Sequence, residues 1–381
     1  MGDPFFRRTL ELLAGPGSSY ARSVDAPLML DLSVGEVRYP LPAAMRAEIG
    51  AAVAESGPFW YGDPAGEEVL RVAYLHHLAR VGDVDRAVLD PWRVLVTAGG
   101  KEAAWLAVRY LLHRRPGGVL VPQPGWEPYR LWATAAGHPL APYNPATVAA
   151  DPALLRQIVA EAAPRPTVLI VNYPHNPTGV AVDQAVMDQL VAVAAACDLA
   201  VMSDEVYRTF APDAVSALFA PAFDLARDIV VDSCSKWLSV AGLRVGFLVA
   251  DPATIRDLTR FRSLYASCTS VLSQRVAATL LGSDVAARWL SNTRADIHRT
   301  RADTVTALAG LGVPVISHGG LYAWCRVPDR EGLPDLGRDG AARITPGDGF
   351  GAPGHLRLCT ARADLDPSTA AAAVVTTLRG C

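Results

Sequence analysis

Residues 233–246 read SCSKWLSVAGLRVG and contain one lysine, Lys236, in a stretch with almost no other charge. Lysines usually lie on the wet surface of a protein, so a lysine directly after an apolar run needs a reason. An apolar site lowers the pKa of a lysine amine, and the neutral amine is a nucleophile. The stretch therefore predicts a reactive amine, with the guanidinium of Arg244 following eight residues later.

Three other apolar runs also lead into residues that can do chemistry. These residues are Gly99, Gly100 and Lys101 after the first run, the segment NYPHNPTG (172–179) after the second, and Asp204 and Tyr207 after the third. In open α/β sheets ligands bind at the carboxyl ends of the strands, so we expect all of them to share one rim with Lys236. An amine, a carboxylate, an amide, a phenol, a guanidinium and a glycine-rich helix start suit an anionic aromatic cofactor that is bonded covalently.

The elements that must position these residues alternate along the chain. From about residue 90, β-branched runs alternate with stretches of helical spacing such as 101–115 and 181–198. Continuous apolar strands between helices are typical of a mostly parallel sheet covered on both faces. The predicted fold class is α/β, with a large domain built on such a sheet and a smaller α+β domain.

The C-terminal part of the chain has a different pattern. Residues 273–310 predict one long helix, 314–328 and 355–361 predict strands, and 367–379 predict a last helix. The expected domains are an N-terminal segment that packs with the small domain (1–45), a large cofactor-binding domain (46–275) and a small C-terminal domain (276–381).

Composition argues against several classes of function. The 381 residues are 51% hydrophobic with a net charge of -3, so we expect neither nucleic acid nor a membrane as partner. The six cysteines form no CxxC pair and are typical of reduced thiols, which favours a cytoplasmic protein without a metal site. The lack of a GxGxxG motif after a strand argues against a nicotinamide-dependent dehydrogenase.

Six stretches carry a resemblance to a known family. They are YGDPAGEEVLR (61–71), TAGGKEA (97–103), NYPHNPTG (172–179), SDEVY (203–207), SCSKWLSVAGLRVG (233–246) and ITPGDGFGAPGHLRL (344–358). Together they resemble the fold-type-I pyridoxal-phosphate enzymes, specifically the class I/II aminotransferases that are similar to aspartate aminotransferase. The stretches span most of the chain in the order of the family, and HNPTG together with the SxSK…GxRxG pattern is the specific part.

The resemblance implies pyridoxal 5'-phosphate as cofactor and a role for each matching residue. Lys236 would form the Schiff base with it and move the proton of the substrate Cα. Asp204 would keep the pyridine nitrogen protonated, and Tyr207 and Asn176 would hydrogen-bond the phenolic oxygen. Trp126 would stack on the ring.

The phosphate of the cofactor is a dianion, which suits a helix N-terminus and a guanidinium. By resemblance its ligands would be Gly100, Lys101, Ser233, Ser235 and Arg244. Tyr61 resembles a residue that reaches the phosphate from a partner subunit, which implies a homodimer with shared active sites.

For the substrates, the resemblance implies an amino acid and a 2-oxo acid. Arg357 would grip the α-carboxylate, and Gly35 lies in a loop that would close over the substrate. Val37-Arg38 stands where the family has Pro-Asp, so Arg38 is expected at the mouth of the site. Candidates for reading the substrate side chain are the cations Arg22, Arg38, Lys101 and Arg262, or an apolar pocket of Trp60, Trp126 and Tyr265.

Segment 329–345 also departs from the family, because it contains several glycines where the family has a helix. This leaves the closing motion, the substrate range and the reaction type open. The first interpretation is an aminotransferase. The alternatives are a pyridoxal-phosphate-dependent lyase, cyclase, decarboxylase or oxidase on the same fold, in specialised metabolism, and a cofactor-binding regulator without turnover.

Overall fold

The computed structural model describes residues 30–57, 60–81, 90–213, 215–327 and 341–380. The strands in these residues are β1 (Leu30–Asp31), β2 (Val94–Thr97), β3 (Gly118–Pro122), β4 (Leu140–Tyr143), β5 (Pro166–Asn172), β6 (Ala200–Asp204), β7 (Ile229–Ser233), β8 (Gly246–Val249), β9 (Val315–Gly319), β10 (Tyr322–Arg326), β11 (Ala342–Arg343), β12 (Thr345–Pro346) and β13 (His355–Cys359).

Helices connect and cover these strands. The α-helices are Ala43–Ala54, Glu68–Val81, Gly100–Arg114, Glu127–Ala135, Pro145–Ala150, Leu154–Glu161, Gln184–Ala196, Cys234–Trp237, Pro252–Ser263, Val271–Gly282, Asp284–Gly310 and Pro367–Gly380. Short 3-10 helices lie at Pro91–Arg93, Arg208–Phe210, Ala217–Phe219, Ala241–Leu243 and Gly347–Phe350. None of the helices in the described residues is long and apolar enough to cross a membrane.

The large sheet has the strand order β2-β8-β7-β6-β5-β3-β4. Strand β8 runs antiparallel to both of its neighbours, β2 and β7, whereas the other neighbours in this sheet pair in parallel. The prediction of a mostly parallel sheet is confirmed. Because β8 runs in the opposite direction, its first residue lies at the same rim as the last residues of β2, β5, β6 and β7.

Both faces of this sheet are buried, which explains the continuous apolar strands. Successive residues of a strand point to opposite faces. Leu95 therefore packs with the helices Gly100–Arg114 and Pro252–Ser263 on one face, while Val94 and Val96 pack with Glu68–Val81 and Val271–Gly282 on the other. This alternation buries the sheet between two helical layers, so the carboxyl ends of its strands are supported by packing on both faces.

A smaller antiparallel sheet has the order β12-β13-β10-β9. It packs with the helices Asp284–Gly310 and Pro367–Gly380 around a third core that includes Leu308, Leu356 and Val374. The pair β1–β11 is parallel and joins residues 30–31 to residues 342–343. The smaller α+β unit of the prediction is thus present, whereas the exact domain boundaries stay a proposal.

The prediction of one helix over 273–310 was wrong. Two helices, Val271–Gly282 and Asp284–Gly310, meet at Ser283, whose backbone is extended (φ -84°, ψ 126°). The Ser283 hydroxyl accepts from the backbone N–H of Ala286 at 3.0 Å and caps the second helix. Residues 1–29 and 328–340, which include Arg22 and most of segment 329–345, lie outside the described residues.

Candidate active site

Lys236 lies in a short helix, Cys234–Trp237, that starts directly at the end of β7. The side chain of Ser233 caps this helix by accepting from the N–H of Ser235 at 3.1 Å. The amine of Lys236 donates to the carbonyl oxygen of Gly35. Burial lowers the pKa of the Lys236 amine to about 8. A substantial fraction of the amine is therefore neutral and nucleophilic near neutral pH.

Asp204 is the last residue of β6, and its carboxylate is almost completely buried. Tyr129 donates its hydroxyl hydrogen to Oδ2, and the N–H of Val206 donates to Oδ1 at 3.3 Å. Burial is the main cause that raises the pKa of Asp204 to about 6, against the hydrogen bonds that lower it. A cationic partner in the cleft would compensate for the burial of this carboxylate.

Tyr207 follows Asp204 and is also buried. The hydroxyl of Tyr322 on β10 donates to Tyr207 Oη at 2.7 Å, and the two rings meet edge to face with centroids 5.4 Å apart. The Lys236 amine lies 5.9 Å from the centroid of the Tyr207 ring. Gly35 has to be glycine here, because a Cβ at this position would clash with Tyr322 Oη.

Arg357 is buried on β13 and belongs to the same cleft. Its Nη1 donates to Asn176 Oδ1 at 2.8 Å, and its Nη2 donates to Thr345 Oγ1 at 3.3 Å and to the carbonyl oxygen of Ser33. The guanidinium carbon lies 4.9 Å from the ring centroids of both Tyr322 and Phe350. The two rings fix the plane of the guanidinium, as bidentate binding of a carboxylate requires.

The helix Gly100–Arg114 starts at the same rim. Gly99 precedes it with φ 85°, and no side chain of the described residues caps this start. Arg244 lies directly before β8 and donates to the carbonyl oxygen of Ala98 at 3.2 Å. The Lys101 amine lies 5.5 Å from the centroid of the Trp126 ring. Lys101 and Arg244 line one pocket beside this helix start, together with Glu102, whose carboxylate accepts from the N–H of Ala98. Two cations next to a helix N-terminus suit an anion.

The two serines before Lys236 differ in their contacts. The Ser233 hydroxyl contacts the carbonyl oxygen of Val245 and Ser235 Oγ, each at 2.8 Å, in addition to capping the helix. The hydroxyl of Ser233 is thus hydrogen-bonded to other groups of the protein. Because a carbonyl oxygen can only accept, the single hydrogen of the Ser233 hydroxyl goes to Val245, and the contact between the two serines then uses the hydrogen of Ser235.

Two predicted site residues, Tyr61 and Arg38, are exposed or paired with carboxylates within one chain. The side chain of Tyr61 is 90% exposed. Arg38 forms ion pairs with Glu36 at 3.2 Å and with Asp31 at 3.5 Å, so its charge is already balanced by two carboxylates. A substrate group would have to compete with these two carboxylates for Arg38, and the role of Arg38 stays a prediction.

Two residues of the cleft were missed in the sequence. Tyr129 follows Trp126 by three residues, and their rings meet edge to face with centroids 5.1 Å apart. The spacing of one helical turn was a usable signal for Tyr129. Tyr322 had no such signal, because β10 is buried on both faces and no alternation marks the side that faces the cleft.

The residues of the cleft are linked by a continuous chain of contacts that runs through side chains and through the backbone of Asp204 and Asn176. The Asn172 amide donates to the carbonyl oxygen of Asp204 at 2.9 Å, and Asn172 Oδ1 accepts from the N–H of Asn176 at 2.9 Å. From Asn176 the contacts continue to Arg357, Tyr322, Tyr207 and Lys236. One cleft therefore contains a buried carboxylate, a nucleophilic amine and an oriented guanidinium.

The sequence profile described as "Aminotransferase class I and II" matches residues 27–375, which is most of the chain. The chain belongs to the class I and II aminotransferase family. The lyases, cyclases, decarboxylases and oxidases that the sequence left open are not favoured by this match, and the family is one of transferases.

Curated relatives of this aminotransferase cover the same extent. It is 25% identical over 350 residues to the aspartate aminotransferase of Pyrococcus abyssi, with 88% of each chain covered. It is 24% identical over 351 residues to aromatic-amino-acid aminotransferase 2 of Thermococcus litoralis, again with 88% of each chain covered.

Solved structures show the same fold. The aspartate aminotransferase of Thermus thermophilus with maleate superimposes with a TM-score of 0.80 at 22% identity, covering 100% of this chain and 97% of the other. The aromatic aminotransferase of Pyrococcus horikoshii OT3 superimposes with a TM-score of 0.81 at 23% identity, covering 99% of each chain. The α/β fold class with a smaller unit is thereby confirmed.

The family implies pyridoxal 5'-phosphate, and the residues of this aminotransferase fit that group. The buried carboxylate of Asp204 has a raised pKa and suits a protonated ring nitrogen. The uncapped helix start at Gly100 and the neighbouring Arg244 suit a phosphate. Lys236 supplies a buried amine of lowered pKa, as a bond to an aldehyde requires.

Proposed function

We propose that this aminotransferase binds pyridoxal 5'-phosphate at Lys236 and moves an amino group between an amino acid and a 2-oxo acid. The observation that carries the proposal is the contact chain from Asp204 through Asn176 and Arg357 to Tyr207 and Lys236. It connects a group for the cofactor's ring, a group for a carboxylate and a nucleophilic amine at one rim.

The groups that hold the cofactor come from five strand ends and one antiparallel strand start. Asp204 would hold the ring nitrogen, Tyr207 and Asn176 the phenolic oxygen, and Trp126 the ring face. The phosphate would lie against the N–H groups of Gly100 and Lys101, the hydroxyls of Ser233 and Ser235, and the guanidinium of Arg244.

When bound, the cofactor supplies an electron sink that acidifies the Cα hydrogen of an amino acid. The protein's own contribution is to move that proton. The Lys236 amine is buried and has a pKa of about 8, which is suited to accept a proton and return it near neutral pH. Its hydrogen bond to Gly35 directs the amine to the mouth of the cleft.

Arg357 would bind the α-carboxylate that all amino acids and 2-oxo acids share. Its guanidinium is fixed between two rings and bonded to Asn176, so little side-chain freedom is lost on binding. Closure of the loop at Gly35 would then exclude water from the cleft. The relatives named for aspartate and for aromatic amino acids support an amino acid as the substrate.

We also propose a homodimer with shared active sites in the cytoplasm. Trp60 and Tyr61 are 80% and 90% exposed, and Leu264 and Tyr265 are 84% and 51% exposed. Arg262 precedes Leu264 by two residues and donates to the carbonyl oxygen of Pro64 at 3.4 Å, so the two exposed segments are neighbours. Exposed apolar residues of this size are typical of protein interfaces. Tyr61 would then reach the phosphate of the neighbouring subunit. The free thiols of the described cysteines agree with a cytoplasmic location.

The function is tested by one turnover with a panel of amino acids and no 2-oxo acid present. We expect a 2-oxo acid and the aminated cofactor in equal amounts, in the wild type and not in Lys236→Ala. Loss of carbon dioxide, or release of ammonia with free cofactor aldehyde, would overturn transamination. Circular dichroism of Lys236→Ala shows whether the variant is folded and therefore a valid control.

A further inference from the structure

Tyr322 occupies a central place in the cleft, although the cofactor and substrate groups described above do not include it. Its side chain is 1% exposed and that of Tyr207 is 6% exposed. The two hydroxyl oxygens are 2.7 Å apart, with Tyr322 as the donor. The hydroxyl of Tyr322 also lies against Gly35, and its ring lies 4.9 Å from the guanidinium carbon of Arg357.

A tyrosine hydroxyl has one hydrogen to donate and can accept in addition. Because Tyr322 donates its hydroxyl hydrogen to Tyr207, the hydroxyl hydrogen of Tyr207 stays available for a ligand in the cleft. The donated bond also polarises the Tyr207 hydroxyl and makes it a stronger donor. Without Tyr322, the Tyr207 hydroxyl could rotate to other acceptors and its strength as a donor would fall.

We propose that Tyr322 is a positioning residue that acts through Tyr207 by fixing where Tyr207 donates its hydrogen. This inference rests on the proposed function, in which Tyr207 donates to the phenolic oxygen of the cofactor. Tyr322 therefore tunes the charge on that oxygen without touching it. The same hydroxyl lies close to Gly35, where an added Cβ would clash with it.

The sign of the effect follows from the charges around Tyr207. The titratable or charged groups that face it are Asp204, Lys236, Tyr322, Arg357 and Cys359. A weaker donor at Tyr207 leaves more negative charge on the phenolic oxygen, next to the nitrogen of Lys236. That nitrogen then keeps its proton to higher pH. Loss of the Tyr322 hydroxyl should thus raise the pH at which the visible absorbance of the cofactor changes.

The experiment is a pH titration of the visible absorbance of the cofactor-loaded enzyme. The variants are Tyr322→Phe, Tyr207→Phe and the double variant. Tyr143→Phe is the matched control, because its hydroxyl also makes a buried 2.7 Å hydrogen bond, but to the carbonyl oxygen of Ile170 and away from the cleft. Thermal melting of each variant shows that it is folded.

We expect Tyr207→Phe to raise the midpoint by about 0.7 pH unit and Tyr322→Phe by about half of that, since a hydrogen bond contributes about 1 kcal/mol and one unit is 1.36 kcal/mol. The double variant should match Tyr207→Phe alone, because Tyr322 acts through Tyr207. Tyr143→Phe should leave the midpoint unchanged.

The failures of the two proposals are distinguishable. A shift in Tyr207→Phe with none in Tyr322→Phe overturns the role of Tyr322 and leaves the proposed function standing. Additive shifts in the double variant also overturn it, because Tyr322 would then act independently of Tyr207. No shift in either single variant overturns both the assignment of Tyr207 and the inference built on it.

Discussion

Asn176 and Arg357 are 181 residues apart in the chain, yet Arg357 Nη1 donates to Asn176 Oδ1 at 2.8 Å. One residue comes from the loop after β5 of the large sheet and the other from β13 of the smaller sheet. The bond therefore joins the two units at the proposed substrate site, where it would pre-orient the guanidinium for a carboxylate.

Arg357→Ala should weaken the binding of all amino acid substrates alike, because they share the α-carboxylate that Arg357 binds. We expect kcat/KM to fall about 100-fold, which corresponds to the loss of a charged pair of hydrogen bonds. Arg357→Lys keeps the charge but loses the planar fork and should fall in between. The measurement is a panel of kcat/KM values with acidic, apolar and aromatic amino acids. If the loss in kcat/KM depended on the side chain of the substrate, Arg357 would bind that side chain and not the α-carboxylate.

Arg38→Ala is the matched control for Arg357→Ala in this panel of substrates. Its guanidinium is paired with Glu36 and Asp31 and is partly exposed, so its removal should change kcat/KM by less than about threefold for every substrate. If the order of preference among amino acids changes instead, Arg38 reads the substrate despite its ion pairs.

Asp204→Asn should preserve the fold and lose activity. The amide is isosteric with the carboxylate but does not carry the charge that keeps a ring nitrogen protonated. A loss of at least about 100-fold in kcat/KM is expected, or about 3 kcal/mol of transition-state stabilisation. Steady-state kinetics together with the cofactor content of the purified variant test this, and wild-type turnover with full cofactor content would rule out the role.

The same variant should have the opposite effect on the stability of the cofactor-free protein. Burial raises the pKa of Asp204 from 3.8 to about 6, so the folded state holds a proton that the unfolded state releases. A raised pKa contributes its stability below about pH 4 and loses it as the pH rises through about 6. Between pH 4 and 7 the free energy of unfolding of the wild type should therefore fall by about 2–3 kcal/mol relative to that of Asp204→Asn. Urea unfolding at several pH values measures this difference, and a constant difference across that range would contradict the burial of the carboxylate.

Tyr61→Phe should weaken cofactor binding without breaking the dimer. If the hydroxyl serves the phosphate of the neighbouring subunit, its loss should raise the dissociation constant of the cofactor about fivefold to tenfold. Trp60→Phe is the control, because Trp60 is an equally exposed neighbour with no hydroxyl. Fluorescence titration gives the dissociation constant and light scattering the mass. An active monomer at assay concentration would contradict the proposal that two subunits share their active sites.

The sequence predicted the sheet and its rim well for a physical reason. Strands buried on both faces must be apolar throughout, and the residues that follow them at one rim have to leave this pattern, as Asp204 and Lys236 do. Both departures were visible locally, without any knowledge of distant contacts.

The remaining parts depend on contacts between distant segments. Tyr322 and Tyr207 are 115 residues apart, and no local pattern shows that their hydroxyls meet. The pairing of Arg38 with Asp31 and Glu36 depends on rotamers that composition does not reveal. The helix break at Ser283 was hidden because apolar residues continue at helical spacing on both sides, so only the cap marked it.

The most direct measurement uses an unusual feature of the chain, which has only two lysines, Lys101 and Lys236. Borohydride treatment of the cofactor-loaded protein, followed by peptide mass mapping, shows which amine carries the cofactor. We expect the mass of one reduced cofactor on Lys236 in wild type and in Lys101→Arg, with loss of the visible absorbance, and no label in Lys236→Ala. A label on Lys101, or an intact reducible bond and full turnover in Lys236→Ala, would contradict the proposed active site.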